Sequence, residues 1–329
     1  MLKHILNSLV LLSFVGAGLS LGQQPAPAAP DAAQTAELIR KARLRRAEYK
    51  ERFKDLTAEE TQRIEEYGDE GLKRRREVVS DLIIYQSQMD DSFMAEYRNV
   101  RAVDGKAVAG RDRRVEQLFG RLARADSAVK ELERIQRESR RYDLRYSSYG
   151  LTLHQGLALE ERVSPYFRFT ASGRERIDGR DTVVVEYQQV AQDPEQQTKL
   201  TLPDALKGAE ALYRGRLWLD PDTARLRREE RELTLKHPSL PAPLTLWRFE
   251  FSYGESRFGV LTPTRIVSSA YSRGRGGPGR ATELLLGGRV VFEYGAFRRF
   301  GVAPPDHRLD EPANRQGDQR PSPPADPSR

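Results

Sequence analysis

The stretch Tyr213–Leu235 reads YRGRLWLDPDTARLRREERELTL, two alternating runs on either side of a proline-containing turn. In the first arm Tyr213, Gly215, Leu217 and Leu219 share one face, and Arg214, Arg216 and Trp218 share the other, because successive strand side chains point to opposite sides. Pro221 presets φ at about −65°, and Asp220 before it can accept bonds from turn amides, so a type I turn is expected over Asp220–Thr223. The return arm, Ala224–Leu235, holds six consecutive charged residues, Arg227–Glu232. A strand charged on both faces cannot lie in the middle of a packed sandwich. One face must reach water, or the charges must pair across strands. The run reads as a solvated strand with paired charges, or alternatively as a site for an acidic or basic ligand.

The same pattern continues through the second half of the chain. Tyr166–Ala171 and Thr182–Gln189 alternate around a turn at Asp178-Gly179, and Gln196–Leu202 is a further candidate strand. Leu244–Tyr253 carries Trp247, Phe249, Phe251 and Tyr253 on one face. Val260–Tyr271 follows, with Pro263 marking an edge or a bulge. Ser272–Gly279 is a loop. Ala281–Leu286 and Arg289–Phe297 read as two strands joined at Gly287-Gly288. Roughly eight to ten strands are expected after Pro165.

The first half is mixed. Met1–Gly22 has a basic start at Lys3 and His4, an apolar run and a small-residue end, the pattern of a secretory signal; an uncleaved anchor is the alternative. Residues 23–34 form an alanine- and proline-rich linker. Thr35–Leu56 reads as a helix through Leu38, Ala42, Tyr49, Phe53 and Leu56. Thr57-Ala58-Glu59-Glu60 is a capping-box pattern that predicts a second helix ending near Gly68, with Glu59, Glu60, Glu65 and Glu66 as surface carboxylates. Residues 35–74 thus read as an N-terminal helical segment. Strands are expected at Val78–Gln86 and Met94–Val103, the latter closing on an Asp104-Gly105 turn. Asp112–Ser139 reads as one long helix with Val115, Leu118, Phe119, Leu122, Val129, Leu132 and Ile135 along one stripe. A short helix is expected near Gln155–Arg162. Residues 304–329 contain 7 of the 19 prolines and read as a disordered tail.

Composition excludes several functions. The 329 residues include no cysteine, so disulfides, thiolate metal sites and cysteine nucleophiles are absent. Of four histidines, His4 lies in the leader and His307 in the tail, leaving only His154 and His237 for a folded site. No histidine-based metal centre is expected, and His154 reads as a loop or surface residue. No phosphate loop, dinucleotide fingerprint or nucleophile elbow occurs, and no cofactor is implied. The net charge of +7 permits peripheral contact with an anionic membrane. Acidic and basic residues are interspersed, and no aromatic-punctuated basic stripe points to nucleic acid.

At Arg216–Arg227, RLWLDPDTARLR, the chain resembles the hairpin of extracytoplasmic proteins with the lipoprotein-carrier (LolA-like) architecture. EYRNVRAVDGKAVAGRDRRVEQLF at 96–119, ESRRYDL at 138–144 and YGAFRRFGV at 294–302 also resemble segments of uncharacterised bacterial secreted proteins. The resemblance covers residues 75–303 and rests on turns and strand ends, so no functional residue is carried over with it. It implies an α+β fold: a strongly curved antiparallel sheet, an unclosed half-barrel, with helices over its concave face. In such carriers the enclosed space holds acyl chains. The implied function is non-catalytic binding of a hydrophobic or lipidated ligand in the periplasm. Asp112–Ser139 would be the lid, and Trp218, Trp247, Phe249, Phe251, Tyr253, Leu118 and Leu122 the lining. The alternative is a protein-binding envelope module, a sensor regulator or assembly factor, with a filled core. A polysaccharide hydrolase would need two carboxylates converging in an open cleft.

Overall fold

The structure, a computed structural model, describes residues 30–299 apart from positions 55, 88, 90–93, 123, 125, 147, 192–207, 241 and 274–283. The leader, most of the linker, the candidate strand Gln196–Leu202 and the tail therefore lie outside the described residues. The elements are α1 (Ala32–Phe53), β1 (Leu56–Gly68), β2 (Gly71–Gln86), β3 (Met94–Val103), β4 (Lys106–Ala107), α2 (Arg111–Leu122), α3 (Ala128–Ser139), β5 (Phe167–Ile177), β6 (Arg180–Gln189), β7 (Glu210–Leu219), β8 (Leu226–Lys236), β9 (Leu244–Glu255), β10 (Leu261–Arg273), β11 (Leu284–Tyr294) and β12 (Arg298–Arg299). Three 3-10 turns, at Leu151–His154, Leu157–Leu159 and Ser164–Tyr166, lie between α3 and β5.

All strands join one twelve-stranded sheet in the order β4-β3-β2-β1-β11-β10-β9-β8-β7-β6-β5, with β12 beside β1. Every pairing is antiparallel. The two ends do not pair, so the sheet is an unclosed half-barrel, as the resemblance implied. One apolar cluster runs along its inner face, from Val100 of β3 through Ile64, Phe292, Ile266, Phe251 and Leu217 to Phe167 of β5. Leu38, Ile39 and Ala42 of α1 and Leu151, Ala158, Leu159 and Val163 of the turn segment complete it.

Helix α1 starts where Asp31 and Gln34 form a reciprocal capping box. Its inward stripe continues through Tyr49 and Phe53, which stack at 4.6 Å and join Leu56, Leu82, Ile84 and Phe297 in a second cluster. The helix that covers the inner face is therefore the one at the N-terminus. The Asp112–Ser139 segment is two helices, with Ser127 capping the second through the Lys130 amide. Leu118, Leu122 and Ile135 pack on Ala95 and Tyr97 of β3, on the opposite face from Glu96 and Arg98. Alternation along β3 thus places this helix pair outside the sheet, and it is not a lid over the interior.

Three further expectations are corrected. Residues 57–68 form a strand, with Leu56, Ala58, Glu60, Gln62 and Ile64 all buried on one face. Two of those inward side chains are polar, which hid the period of two, and pairing with β2 and β11 overrides the local helix signal. Gly287 and Gly288 lie inside the continuous strand β11, where the Tyr146 ring rests on them in space a Cβ would fill. Between β7 and β8 the loop runs beyond Thr223: Ala224 is left-handed at φ 55°, and Asp220 N donates to Arg225 O at 3.0 Å. Asp104-Gly105 and Asp178-Gly179 do turn with positive φ, and the bulge beside Pro263 matches its position in the sequence.

Gly215 of β7 shows why one strand residue has no side chain. A Cβ there would collide with the carbonyl of Glu230 and lie 2.7 Å from the Tyr187 hydroxyl. Gly215→Ala is expected to cost about 1–3 kcal/mol through overpacking. Gly173→Ala, with nothing within 4 Å of its Cβ, should change stability by less than about 1 kcal/mol. Urea unfolding of both variants measures the difference.

Candidate functional site

The inner face carries a buried polar layer, and it has two centres. The first lies where β1, β2 and β3 adjoin. Glu60 and Glu96 are fully buried and Arg98 is 2% exposed. Arg98 Nε donates to Glu60 Oε1 at 2.6 Å, and its Nη2 donates to Glu96 Oε2 at 2.9 Å. Gln62 Nε2 donates to Glu60 at 2.8 Å. The guanidinium also lies over the rings of Tyr149 and Phe292. Burial disfavours the charge on Arg98, but the two carboxylates outweigh it and its pKa is raised. Burial also pushes up the hydroxyls of Tyr49 and Tyr294.

The second centre is on β8. Glu229 is fully buried and Arg231 is 4% exposed, with Arg231 Nε donating to Glu229 Oε1 at 2.9 Å. The Tyr187 hydroxyl, passing over Gly215, donates to the same oxygen at 3.1 Å. Arg231 lies over the Phe251 ring at 4.9 Å. The charged run therefore splits by parity. Arg228, Glu230 and Glu232 face outward and pair with neighbours: Arg214 and Arg248 with Glu232, Arg216 and Arg228 with Glu230. Glu229 and Arg231 face inward, and Arg227, beside a bulge, bonds to Asp220 at 3.2 Å. The charges pair on both faces, but the solvated reading holds for the outward half alone.

Both centres grip the same segment. Glu96 accepts the Gly150 amide at 2.8 Å and the Thr152 amide and hydroxyl at 2.7 Å each. Glu229 accepts the Gly156 amide at 2.9 Å. Arg231 donates to His154 O, and Tyr49 to Thr152 O. From α1, Arg46 donates to Gln155 O at 3.0 Å and pairs with Glu160 at 2.7 Å. These bonds satisfy the carbonyls and amides of short 3-10 turns that would otherwise be buried without partners. The interior of the half-barrel is filled by α1 and this segment. A glycosidase pair must face substrate and water, whereas Glu60 and Glu96 face Arg98 and no solvent. Among the described residues no group of three His, Asp or Glu side chains is placed to hold a metal ion.

The seven candidate lining residues are not gathered around one space. Phe249, Phe251 and Tyr253 form an inner-face row. Trp247 lies further along the same strand with Tyr213, Leu233 and Leu246. Trp218 faces outward, where its indole Nε1 donates to Glu175 at 2.8 Å and Arg216 and Arg228 cover its ring. Leu118 and Leu122 lie under the outer helix pair. Sequence reasoning missed Glu60, Glu96, Arg98, Glu229, Arg231 and Arg46. One available signal was the parity of Glu229 and Arg231 with Leu233 and Leu235 along β8.

Two surface clefts stand out. One, of about 750 Å³, crosses the outer face over Arg214, Arg216, Glu230, Glu232 and Arg248, and its charges are largely satisfied by each other. The other, of about 490 Å³, lies between the start of α1 and β5, with Ala36, Ile39, Pro165, Phe167 and Phe169 among its walls.

No family model and no curated protein sequence matches the chain. Among solved structures it is similar to a putative outer membrane lipoprotein-sorting protein domain from Vibrio parahaemolyticus, at 10% identity, covering 84% of this chain and 96% of that chain with a TM-score of 0.34. It is similar to a DUF1329 family protein from Desulfovibrio piger, at 12% identity, 82% and 95% coverage and a TM-score of 0.34. A LolA superfamily protein from Nitrosomonas europaea gives 11% identity, 82% and 94% coverage and a TM-score of 0.33.

Arg231→Met should destabilise the protein by about 3–5 kcal/mol, because Glu229 would keep its charge in the interior without its main partner. Arg214→Ala, on the exposed outer ladder, should cost about 1 kcal/mol or less. Chemical denaturation of the two variants tests the contrast. A pH effect follows from Asp220. Burial pushes its carboxyl up, but the Thr223 and Asp222 amides, the Thr223 hydroxyl and Arg227 together hold it below the usual value. A depressed folded pKa gives stability that is present above the unfolded value of about 3.9 and is lost as pH falls through the folded one. Thermal melts between about pH 5 and pH 2 should show this loss, and Asp220→Asn should flatten it.

Proposed function

We propose that this chain is a non-catalytic extracytoplasmic binding module that engages a protein partner of the cell envelope through its surface. One observation carries the reading: Glu96 and Glu229 tie the 150–156 segment into the interior, beneath α1. An acyl chain entering the half-barrel would have to displace that segment and leave two buried carboxylates without their amide donors. Each such loss costs about 1–3 kcal/mol or more for a charged group. Binding on the sheet edges and outer face requires no such rearrangement. The leader pattern at Met1–Gly22 supports the compartment. The hydrophobic or lipidated ligand read from the sequence is the outcome that the test below separates from this one.

The protein is purified from membrane-containing cells and examined by native mass spectrometry, with lipid extraction of the same sample. The expected result is a single ligand-free mass. An acyl-chain species near one equivalent would overturn the proposal in favour of a carrier. In parallel, a photo-crosslinker at Thr170 should yield one discrete protein adduct in intact cells, and its absence would also count against a protein partner.

A further inference from the structure

The two ends of the sheet are finished differently. At one end β3 is covered. The short β4 pairs with Ala102 and Val103. Further along, Ser139 Oγ accepts the Arg98 amide at 3.1 Å and donates to Glu96 O at 2.9 Å, and the Tyr149 hydroxyl donates to the same carbonyl at 2.6 Å. At the other end β5 pairs with β6 alone. In an antiparallel pair half of a strand's N–H and C=O groups face away from its partner. The Phe167 amide donates to Ser164 O, and among the described residues no other hydrogen bond from outside β6 reaches the backbone of Phe167–Ala171.

Free edges are usually guarded by charge, proline or a bulge. In β5 the bulge comes only between Ala171 and Gly173, and Arg174, Glu175 and Arg176 follow it. Of the five residues before it, Arg168 is exposed and lies along the outer-face cleft, so its charge does not guard the other side, where Phe167, Phe169, Thr170 and Ala171 border the 490 Å³ cleft under the first turns of α1. Phe167 and Phe169 supply an apolar wall, and Ala32, Ala36 and Ile39 face them. Arg43 lines the same cleft, half-buried, with its Nε shut off from water and without a hydrogen-bond partner among the described residues. Arg40 at the rim is engaged by Glu37 at 2.7 Å, so the unanswered positive charge is that of Arg43.

From this we infer that the cleft between α1 and the free edge of β5 takes an extended peptide segment of the partner, which adds to β5 as a further strand and places an Asp or Glu on Arg43. The open ladder specifies an extended backbone, the apolar walls specify alternate apolar side chains, and Arg43 specifies a carboxylate. The four residues Arg168–Ala171 at about 3.4 Å each give a run of about 14 Å, which suits a segment of four or five residues. The inference rests on the protein-binding reading and locates its interface.

A random heptapeptide library displayed on phage is panned against the full chain. The most enriched peptides are then synthesised and titrated calorimetrically against wild type, Arg43→Gln and Ala36→Trp. Ala36 is exposed on a helix, so its replacement fills the cleft without touching the core, and circular dichroism checks that both variants fold. The enriched peptides should alternate apolar residues around one Asp or Glu. Their affinity should fall at least about tenfold in Arg43→Gln, as expected for a lost charge-assisted bond, and further in Ala36→Trp. Replacing the peptide carboxylate by its amide should weaken binding to wild type but not to Arg43→Gln. N-methylation of alternate peptide amides should abolish binding. Absence of enrichment would overturn the inference, as would an oleate probe that competes for the cleft in an Arg43-dependent way. Peptides indifferent to both variants would sink this interface while leaving a protein partner elsewhere on the surface.

Discussion

Two carboxylates hold the interior together. Glu96 and Glu229 stand on strands far apart in the sheet, yet both accept backbone amides from the 150–156 segment. A buried carboxylate is tolerated only when its lone pairs are filled and its charge is answered. Arg98 and Arg231 answer the charge, and the turn amides fill the remaining positions. The constraint works in both directions, because the 3-10 turns leave amides that the interior could not otherwise satisfy. α1 closes over the result, with Arg46 and Tyr49 bonding to carbonyls of the same segment. The sheet's curvature, the placement of the turns and the docking of α1 are thus parts of one arrangement.

That arrangement shapes the functional reading. A half-barrel holding a buried ionic layer offers little apolar volume at its centre, so the sites left for recognition are its edges and its outer face. On the outer face Glu230 and Glu232 each bridge two arginines. These groups largely satisfy one another and contribute solubility and register. The two edges differ: α3 and Tyr149 close one, while β5 keeps a stretch of open backbone beside an apolar cleft.

Much of this was legible in the sequence. Local rules reached what local physics controls. Asp104-Gly105 and Asp178-Gly179 need positive φ and turn where expected, and the alternation in Tyr213–Leu219 and Leu244–Tyr253 assigned faces correctly. The misreadings have separate causes. At Leu56–Gly68 the inward residues include Glu60 and Gln62, so the period of two was concealed behind polar side chains. At Gly287-Gly288 the glycines make room for Tyr146 and do not mark a turn. The candidate lining set went astray at Trp218 because aromatic character was taken to mean an inward position. Its ring is buried outward, beneath Arg216 and Arg228.

The sequence alone determined the antiparallel class, the positions of most strands along the chain and the absence of cysteine chemistry, because each follows from composition, period-two patterning and turn residues within a few positions of one another; the half-barrel came from the resemblance. Only the tertiary structure decided that the N-terminal helix covers the inner face, that the Arg111–Ser139 helices lie outside, and that Glu60, Glu96, Arg98, Glu229 and Arg231 are buried. A charge is allowed inside when a counter-charge and amide donors meet it there. For Glu96 and Glu229 those donors arrive from residues more than fifty positions away in the chain, a separation that no local pattern records.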